Sequence, residues 1–440
     1  MNAMTDSAFF SAADKGVLRL ITAGSVDDGK STLIGRLLYD SKGIFADQLD
    51  AISRAKYKRT VGDTIDLSLL TDGLEAEREQ GITIDVAYRY FSTPVRKFII
   101  ADAPGHEQYT RNMVTGASTA DVAIILIDAT RAADGQLLTQ TKRHSTLAHL
   151  LGIRHIVVAV NKMDLVEWSR EVFERIREAY AALAAKLGIA GFHVLPLSAL
   201  TGDNVVGKSG RTPWYQGPAL LELLEALDVR TDASGKALRF PVQLVARHGG
   251  DRADDFRGYM GQVASGTLAV GDRVLVQPSG VAATVKSLVV HGGEVEAAVA
   301  GDSVTVVLDE DVDVSRGDVL VHASAPAAVA RQFQAEICWL DTQALNPARK
   351  YLLKHGTRLT SAKIKSVLAR RDIHELGEVP AADTPFAMND IGRVEIATRD
   401  ALALDAYDDI AATGAFILID EATHQTAAAG LIRLTSLSAH

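Results

Sequence analysis

The sequence predicts an α/β domain, with a mostly parallel sheet and helices on both faces, followed by two all-β barrel domains. Short apolar runs alternate with helical segments from residue 17 to about residue 228, which is typical of a parallel sheet covered by helices. Beyond this point helical periodicity largely disappears, and Gly-Asp turns separate short runs of alternating polarity. A glycine-rich loop with phosphate-binding spacing also lies between the first predicted strand and the first predicted helix.

In the first domain, each predicted strand is a short apolar run with the length of a buried strand. The predicted strands are VLRLITA, KFIIAD, DVAIILID, HIVVAVNK and FHVLPLSA. The predicted helices include STLIGRLLYD, EWSREVFERIREAYAALAAKLG and PALLELLEALD. Because these strands alternate with helices, we expect their carboxyl ends to face one edge of the sheet.

Two linkers divide the chain. The polar segment TDASGKALR follows the first domain, and the alanine-rich segment HASAPAAVAR precedes the last set of β segments. The domains are therefore predicted at residues 1–232, 238–326 and 331–440. The β segments between and after the linkers include GYMGQVASG, GDRVLVQPSG, GDSVTVVLDE, RGDVLVHA, QAEICWLD, TRLTSAKIKSVLA, GRVEIATRD and GAFILID.

Composition indicates a globular protein without a membrane span. The chain has 440 residues, of which 47% are hydrophobic, and a formal net charge of -9. This acidic balance argues against broad binding to nucleic-acid backbones. The one cysteine, Cys338, cannot form an internal disulfide, and Asp6 and Asp14 lie where a signal peptide would be basic and then apolar. We therefore expect a cytoplasmic protein that binds neither nucleic acid nor a membrane.

Two segments match the spacing Gly, any four residues, Gly-Lys-Ser, which is typical of phosphate-binding loops. They begin at Gly24 and Gly202. The first follows a strand and opens directly into an amphipathic helix, so its N–H groups converge on phosphate oxygens. The second leads to Gly210, Pro213 and Gly217, which prevent a helix from starting there. We predict that the first loop binds a nucleotide and that the second match is coincidental.

The first loop supplies most of the predicted phosphate contacts. Lys30 is expected to bridge the β- and γ-phosphates, and the Ser31 hydroxyl is expected to ligate Mg²⁺. Asp27 and Asp28 are unusual beside phosphates, and we expect both side chains to point outward while backbone N–H groups face the ligand. The predicted loop residues are Gly24, Ser25, Val26, Asp27, Asp28, Gly29, Lys30, Ser31 and Thr32.

Three further segments at predicted strand ends indicate that the nucleotide is GTP. In DAPG, the Asp102 carboxylate can reach the Mg²⁺ shell and the Gly105 N–H can meet the γ-phosphate. In NKMD, the Asp164 carboxylate can accept hydrogen bonds from guanine N1–H and the N2 amino group, a donor pair that adenine lacks. Asn161 is expected to brace this loop, and Lys162 to lay its aliphatic stem against the base. A backbone N–H for guanine O6 is expected from the SAL segment, which comprises Ser198, Ala199 and Leu200.

Thr83, in the segment EREQGITID, is the candidate switch residue. Its hydroxyl can complete the Mg²⁺ shell in the GTP state, and loss of that contact after hydrolysis would release the surrounding segment. Taken alone, the segment also fits a turn between a helix and a strand. The predicted magnesium ligands are therefore Ser31, Thr83 and Asp102.

These residues resemble the translation-factor class of GTPases, in which GITI, D-x-PGH and NKMD occur on a P-loop GTPase domain followed by two β-barrels. Within that class, GSVDDGKSTLIGRLLYDSK, FIIADAPGHEQYTRNMVTGAST and ALTGDNVV are similar to the GTPase subunit of bacterial sulfate adenylyltransferase. The resemblance covers essentially the whole chain. It implies that a separate, smaller catalytic subunit makes adenosine 5′-phosphosulfate and pyrophosphate from ATP and sulfate, while this chain hydrolyses GTP to drive the step.

The resemblance also implies catalytic roles. His106 directly follows Gly105 and resembles the residue that orients the attacking water in this class. A general-base role is the alternative, and we favour orientation of the water. The predicted catalytic residues are thus His106, Lys30 and Thr83. A monovalent cation held beside the phosphates is a further hypothesis for Asp27.

Two features bear on the partner subunit. The charged insertion at residues 40–80 is either a solvated loop with helical turns or a segment that reorders with the nucleotide and contacts the partner. Hydrolysis is expected to be slow without the partner, because Arg78 and Arg111 are candidate arginine fingers only by their position.

In some bacteria an adenylylsulfate kinase domain follows the last barrel. Here the chain ends at GLIRLTSLSAH, so we expect the stand-alone form or a fusion from which that domain has been removed.

Two other functions are weighed against this interpretation. A translation factor that delivers aminoacyl-tRNA would need a basic RNA groove on its barrels, which the acidic balance disfavours. A nucleotide-dependent assembly switch would need no metabolic partner, and its GTP turnover would never respond to ATP and sulfate.

Overall fold

The computed structural model describes residues 16–41, 67–70, 85–106, 110–229, 233–247, 257–373, 376–380 and 385–433. The chain forms two compact units. The first comprises residues 1–229 and 373–376, and the second comprises residues 230–372 and 377–440. Both predicted β domains lie in the second unit, so the boundary between them remains a prediction.

A mostly parallel sheet of six strands lies at the centre of the first unit. Its strands, numbered β1 to β6 along the chain, are Val17–Ala23, Ala87–Ser92, Lys97–Asp102, Val122–Asp128, His155–Asn161 and Phe192–Pro196. Their order across the sheet is β2-β3-β1-β4-β5-β6, and only the edge strand β2 is antiparallel to its neighbour. The carboxyl ends of the parallel strands therefore lie at one edge of the sheet, as predicted.

The α-helices of the first unit, numbered α1 to α5, are Lys30–Asp40, Thr110–Ala117, Thr139–Leu150, Arg170–Leu187 and Leu220–Ala226. Two short 3-10 turns lie at Leu67–Leu70 and Met163–Val166. The bounds of α4 follow from its caps: the Ser169 hydroxyl accepts the Val172 N–H, and Gly188 after the last turn has a φ of 78°. These caps end the helix inside the predicted helical segment.

Three elements of this unit, β2, α2 and α3, were not among those predicted. The buried face of α3 includes the polar residues Thr141, His144 and Ser145, so its apolar periodicity is weak. The edge strand β2 leaves Tyr88 39% and Tyr90 67% exposed, so it lacks the run of buried apolar residues that marks the central strands. Hydrophobic periodicity alone detects neither kind of element.

The core holds the nucleotide loops in place. Every residue of β4, from Val122 to Asp128, is buried, which explains the continuous apolar run in the sequence. Helix α1 contributes Leu33, Ile34 and Leu37 to the same core cluster as Leu20 of β1. Because both elements are anchored in this core, the loop that connects them has fixed ends.

The second unit begins with a closed six-stranded barrel. The described residues of this part form nine strands, β7 to β15, of which six make the barrel: Phe240–Arg247, Arg257–Gln262, Thr267–Ala269, Arg273–Gln277, Val281–Val290, Gly293–Val295, Ala297–Val299, Ser303–Leu308 and Val319–His322. The order β10-β15-β7-β8-β14-β11 is closed by pairing of β10 with β11.

A second closed six-stranded barrel follows. The described residues of this part form seven strands, β16 to β22, of which six make the barrel: Ala328–Trp339, Tyr351–His355, Arg358–Arg371, Glu378–Pro380, Ile391–Leu404, Ala415–Asp420 and Thr426–Arg433. A short helix, α6, lies at Ala411–Gly414. The order β17-β21-β22-β16-β20-β18 is closed by pairing of β17 with β18. The predicted fold class, an α/β domain followed by two β-barrels, is therefore confirmed.

The connection between the barrels differs from the prediction. The alanine-rich segment was predicted to be a linker up to residue 331, but β16 begins at Ala328, where it pairs with Leu404 of β20. The composition of this segment resembles a linker, whereas backbone hydrogen bonds make residues 328–331 part of a strand. The barrels are joined by a bidentate ion pair, in which the buried Arg239 guanidinium donates to both carboxylate oxygens of Asp405 at 2.8 Å. No helix in the described parts of the chain is long and apolar enough to cross a membrane.

Candidate functional site

The phosphate loop between β1 and α1 is packed closely against neighbouring loops. Gly29 has a φ of 91°, and a Cβ atom added there would lie 2.4 Å from Asn161 Nδ2. A Cβ atom added at Gly105 would lie 2.5 Å from Lys30 Nζ and 2.8 Å from Val26 N. Glycine is therefore required at both positions, because only a residue without a side chain permits this approach.

Asn161, the last residue of β5, connects two loops. Its Nδ2 donates to the Asp28 carbonyl oxygen at 2.8 Å, and its Oδ1 accepts the Ala199 N–H at 2.9 Å. The residue is only 2% exposed, so both hydrogen bonds are shielded from water. Asn161 therefore holds the phosphate loop and the loop after β6 at a fixed separation.

Lys30 lies at the centre of the phosphate loop. Its Nζ donates to the carbonyl oxygens of Gly24 at 3.1 Å and Ser25 at 2.8 Å. Burial lowers the pKa of Lys30 from its ordinary value, although the carboxylates of Asp102 and Asp28 oppose that effect. A buried ammonium group whose hydrogen bonds go to neutral carbonyl oxygens is suited to bind an anion that enters the loop.

Two of the predicted magnesium ligands lie together. The buried Asp102 carboxylate accepts hydrogen bonds from Thr22 Oγ1 at 3.1 Å and from Ser31 Oγ at 3.3 Å. Hydroxyl and carboxylate oxygens beside a phosphate loop are donors that suit Mg²⁺. The third predicted ligand, Thr83, lies outside the described residues. Within the described residues no group of three or more His, Cys, Asp or Glu side chains could hold a metal ion, so any Mg²⁺ would depend on hydroxyl and nucleotide oxygens as well.

The predicted guanine-binding segment follows β5. Lys162 Nζ is 2.7 Å from Asp128 Oδ2, which directs the lysine side chain across the end of β4. Burial would raise the pKa of Asp128, but hydrogen bonds from Lys162 and Thr130 outweigh it and lower that pKa. Asp164, in the turn Met163–Val166, is half-buried, and its carboxylate has no hydrogen-bond partner among the described residues.

The SAL segment makes more hydrogen bonds within the protein than the sequence suggested. Ser198 and Ala199 are fully buried, and Leu200 is 51% exposed. The Ser198 N–H donates to the Asp203 carbonyl oxygen at 3.2 Å, and the Ala199 N–H donates to Asn161. Two of the three N–H groups of this segment, which was expected to offer one N–H to guanine O6, therefore already have acceptors in the protein.

The two aspartates of the phosphate loop differ. Asp27 is exposed, as predicted, and has a φ of 67°. The prediction that Asp28 also points outward is wrong, because its side chain is fully buried and its Oδ2 accepts the Ser25 N–H at 2.6 Å. The other oxygen, Oδ1, lies 3.6 Å from a nitrogen of Arg131. Burial raises the pKa of Asp28 to about 6, although Lys30 opposes the shift.

The remaining predicted residues differ in burial, and some of them lie outside the described residues. Val26 and Thr32 are half-buried in the phosphate loop and at the start of α1. His106 is exposed directly after Gly105, and Arg111 lies in α2. Arg78 and nearly all of the insertion at 40–80 lie outside the described residues.

Three residues that touch the site were not predicted. They are Asp128 beside Lys162, Arg131 beside Asp28, and Gln140, whose Nε2 donates to the Gly105 carbonyl oxygen at 3.4 Å. Asp128 is the last residue of the buried strand β4 and Arg131 lies three residues later, at the same sheet edge as the predicted motifs. Polar residues directly after a buried parallel strand are therefore the signal that could have identified these two.

The second glycine-lysine match, at Gly202, has no phosphate-binding geometry. Asp203 accepts hydrogen bonds from Thr201 and Ser209 at 2.6 Å, so the loop is closed by its own side chains. Lys208 is exposed, and the next helix begins only at Leu220. The geometry agrees with the prediction that this match is coincidental.

The bridge made by Asn161 can be tested by an Asn161→Ala substitution. We expect the free energy of unfolding of the first unit to fall by about 2–4 kcal/mol, because a buried donor and a buried acceptor both lose their partner. Hydrogen exchange of the β1 and β5 amides at increasing urea concentration measures this change. The control is Asn346→Ala, since Asn346 is exposed and its side-chain Oδ1 accepts the Ala348 N–H. Equal protection in the two variants would contradict the bridging role.

Family models match most of the chain. The model of the elongation factor Tu GTP binding domain covers residues 15–232, and the GTP-eEF1A C-terminal domain-like model covers residues 332–433. A model of the C-terminal part of the voltage-gated calcium channel alpha subunit covers residues 229–382, a range that ends within the second barrel and so delimits no structural unit. The elongation factor Tu model covers the α/β domain, and the GTP-eEF1A model covers most of the second barrel.

Curated relatives cover nearly the whole chain. Sulfate adenylyltransferase subunit 1 of Aeromonas hydrophila is 50% identical over 95% of this chain and 86% of its own length. The corresponding protein of Colwellia psychrerythraea is 49% identical over 95% of this chain and 88% of its own length. The bifunctional enzyme NodQ of Rhizobium meliloti is 51% identical over 95% of this chain but only 64% of its own length. The chain thus spans a little less than two thirds of NodQ.

The GTPase-like domain of Ski7 from S. cerevisiae, solved with bound GTP, is similar in fold. It has a TM-score of 0.51 and 18% sequence identity, and the match covers 98% of this chain and 100% of that structure. At this identity the similarity concerns the fold alone.

Proposed function

The chain belongs to the family of sulfate adenylyltransferase subunit 1, and from this premise we propose that it binds and hydrolyses GTP at the phosphate loop. The observation that carries the proposal is the Asn161 bridge. It ties the phosphate loop, which leads into the buried Lys30, to the end of β5, and the guanine-binding candidate Asp164 lies three residues after Asn161. A phosphate-binding cation and a carboxylate for the base at this edge of the sheet are the two ends of a guanine nucleotide site.

In the proposed site, the phosphate loop from Gly24 to Thr32 surrounds the phosphates with backbone N–H groups. Lys30 turns from its carbonyl partners to the β- and γ-phosphates. Ser31, Asp102 and Thr83 would hold Mg²⁺, which supplies charge neutralisation at the phosphate oxygens when bound. His106 is placed after Gly105, and we assign it the orientation of the attacking water.

We also propose the coupling that the family name suggests. A smaller catalytic subunit would make adenosine 5′-phosphosulfate and pyrophosphate from ATP and sulfate, and GTP hydrolysis by this chain would drive that reaction. The physical requirement is that GTP changes the affinity of this chain for one state of the partner, because a ligand without differential affinity shifts no equilibrium. The insertion at 40–80 is the proposed contact, since it precedes Thr83. A kinase domain or protein for adenylylsulfate is a further proposed partner, suggested by the longer relative NodQ.

Guanine selection is tested by Asp164→Asn. An amide can donate to the 2-oxo group of xanthine but cannot accept both guanine protons, so we expect xanthosine triphosphate to bind more tightly than GTP. The affinity for GTP should fall about 100-fold or more, because two charge-assisted hydrogen bonds are lost. Isothermal titration calorimetry measures both affinities. The control is Asp134→Asn, an exposed residue that accepts only the Gln136 N–H. An unchanged preference for GTP would place guanine elsewhere.

A monovalent cation beside Asp27 is the finer part of the cofactor proposal. Asp27 is exposed at the phosphate loop, so its carboxylate is available to an ion that also contacts the phosphates. We expect faster GTP hydrolysis in potassium salts than in tetramethylammonium salts of the same ionic strength. Equal rates would remove the cation from the mechanism.

The coupling is tested by mixing the chain with the candidate catalytic subunit. GTP turnover should rise when the partner, ATP and sulfate are all present, and it should remain low when sulfate is omitted. Turnover that never responds to ATP and sulfate would favour an assembly switch.

A gel shift with aminoacyl-tRNA distinguishes the translation-factor alternative, for which retarded tRNA is the expected result.

A further inference from the structure

The loop after β4 contacts both ends of the candidate nucleotide site. Asp128 holds Lys162 on the guanine side. Arg131, three residues later, donates through Nη1 to the Val26 carbonyl oxygen at 3.0 Å. The same nitrogen lies 3.6 Å from Asp28 Oδ1. One guanidinium group therefore contacts the third and fifth residues of the phosphate loop.

Asp28 creates an electrostatic problem at this position. Its carboxylate is fully buried in a loop that is proposed to surround phosphates, so its charge repels the ligand. The Ser25 N–H satisfies Oδ2, whereas Oδ1 has no hydrogen bond within the described residues. Burial raises the pKa of Asp28 to about 6, Lys30 and Arg131 lower it, and Asp128 raises it slightly.

Only two cations act on Asp28 among the described residues, Lys30 and Arg131. Lys30 is needed by the phosphates in the proposed site, and a single ammonium cannot fully neutralise both an internal carboxylate and a ligand. Arg131 lies beside Asp28, and its Nη1 also donates to the Val26 carbonyl oxygen. Its side chain is 45% exposed, so the ion pair by itself contributes little to stability.

We propose that Arg131 is a positioning residue for GTP, which offsets the Asp28 charge and fixes the Val26–Asp28 turn so that Lys30 serves the phosphates. This inference rests on the proposed function and names a determinant of the same site. Arginine suits this role because its guanidinium group is always charged, and its Nη1 lies near both the Val26 carbonyl and the Asp28 carboxylate. Arg131 acts through the loop and is not expected to touch the γ-phosphate.

The test is a double-mutant cycle in the full chain, with Arg131→Gln, Asp28→Asn and the two combined. The Asn side chain keeps an oxygen for the Ser25 N–H but removes the charge that Arg131 offsets. We expect Arg131→Gln to weaken GTP binding about 10-fold or more, because it leaves a buried charge uncompensated beside the phosphates. Adding Asp28→Asn should restore most of the lost affinity. Calorimetry with GTP and Mg²⁺ measures each dissociation constant.

The control is Arg177→Gln, since Arg177 is 48% exposed and also pairs with one carboxylate, Glu174, within α4. This variant should bind GTP as the wild type does. A double variant as weak as Arg131→Gln alone would overturn the inference, because a merely structural loss is not rescued by removing a charge. An Arg131→Gln variant with unchanged affinity would overturn it too.

The same cycle separates this inference from the proposed function. If the wild-type chain binds no GTP, the proposed function fails. If the wild type binds GTP but the cycle shows no coupling, only the role of Arg131 fails. Thermal unfolding of the four chains without nucleotide gives a second readout, in which Arg131→Gln should change the unfolding midpoint little, because the half-exposed ion pair contributes little to stability.

Discussion

The structure of the candidate site depends on the amide group of Asn161. A parallel sheet brings several strand ends to one edge, but each loop leaves its strand independently and could settle at many separations. Asn161 removes that freedom, because one side chain donates to the phosphate loop and accepts from the loop after β6. The absence of a Cβ atom on Gly29 lets the amide approach to this distance. The proposed phosphate and guanine ends of the site are thereby held at a fixed spacing.

Charge balance is the second constraint. The chain carries a net charge of -9, so an anionic ligand must be attracted locally and against the overall field. At the sheet edge, cations and carboxylates alternate: Lys30 lies near Asp102 and Asp28, Arg131 near Asp28, and Lys162 against Asp128. Each cation thus lies near a carboxylate, at the cost of burying negative charge near the proposed phosphate site. The balance between Asp28 and its two cations is where that cost is greatest.

The sequence was most informative where one physical signal dominated. Strands β1 and β3 were predicted with the observed bounds, since both are apolar runs between clear turn signals. The polar buried face of α3 and the exposed edge strand β2 carry no such signal, so both escaped detection. The nucleotide motifs could be recognised because each is a short polar segment after an apolar strand. Arg131 could not be recognised from the sequence, because an arginine in a loop is common and its contact with Asp28 is visible only in the structure.

By itself, the sequence determined the order of elements, the phosphate loop that opens a helix, and the polar residues that end each strand, because these depend on local periodicity and spacing. Only the tertiary structure decided which side chains meet across that edge. It turned Asp28 inward against the expectation, gave two N–H groups of the SAL segment to protein acceptors, and joined the barrels through Arg239 and Asp405. These are contacts between residues distant in the chain, and their energies depend on burial and separation, which no local pattern records.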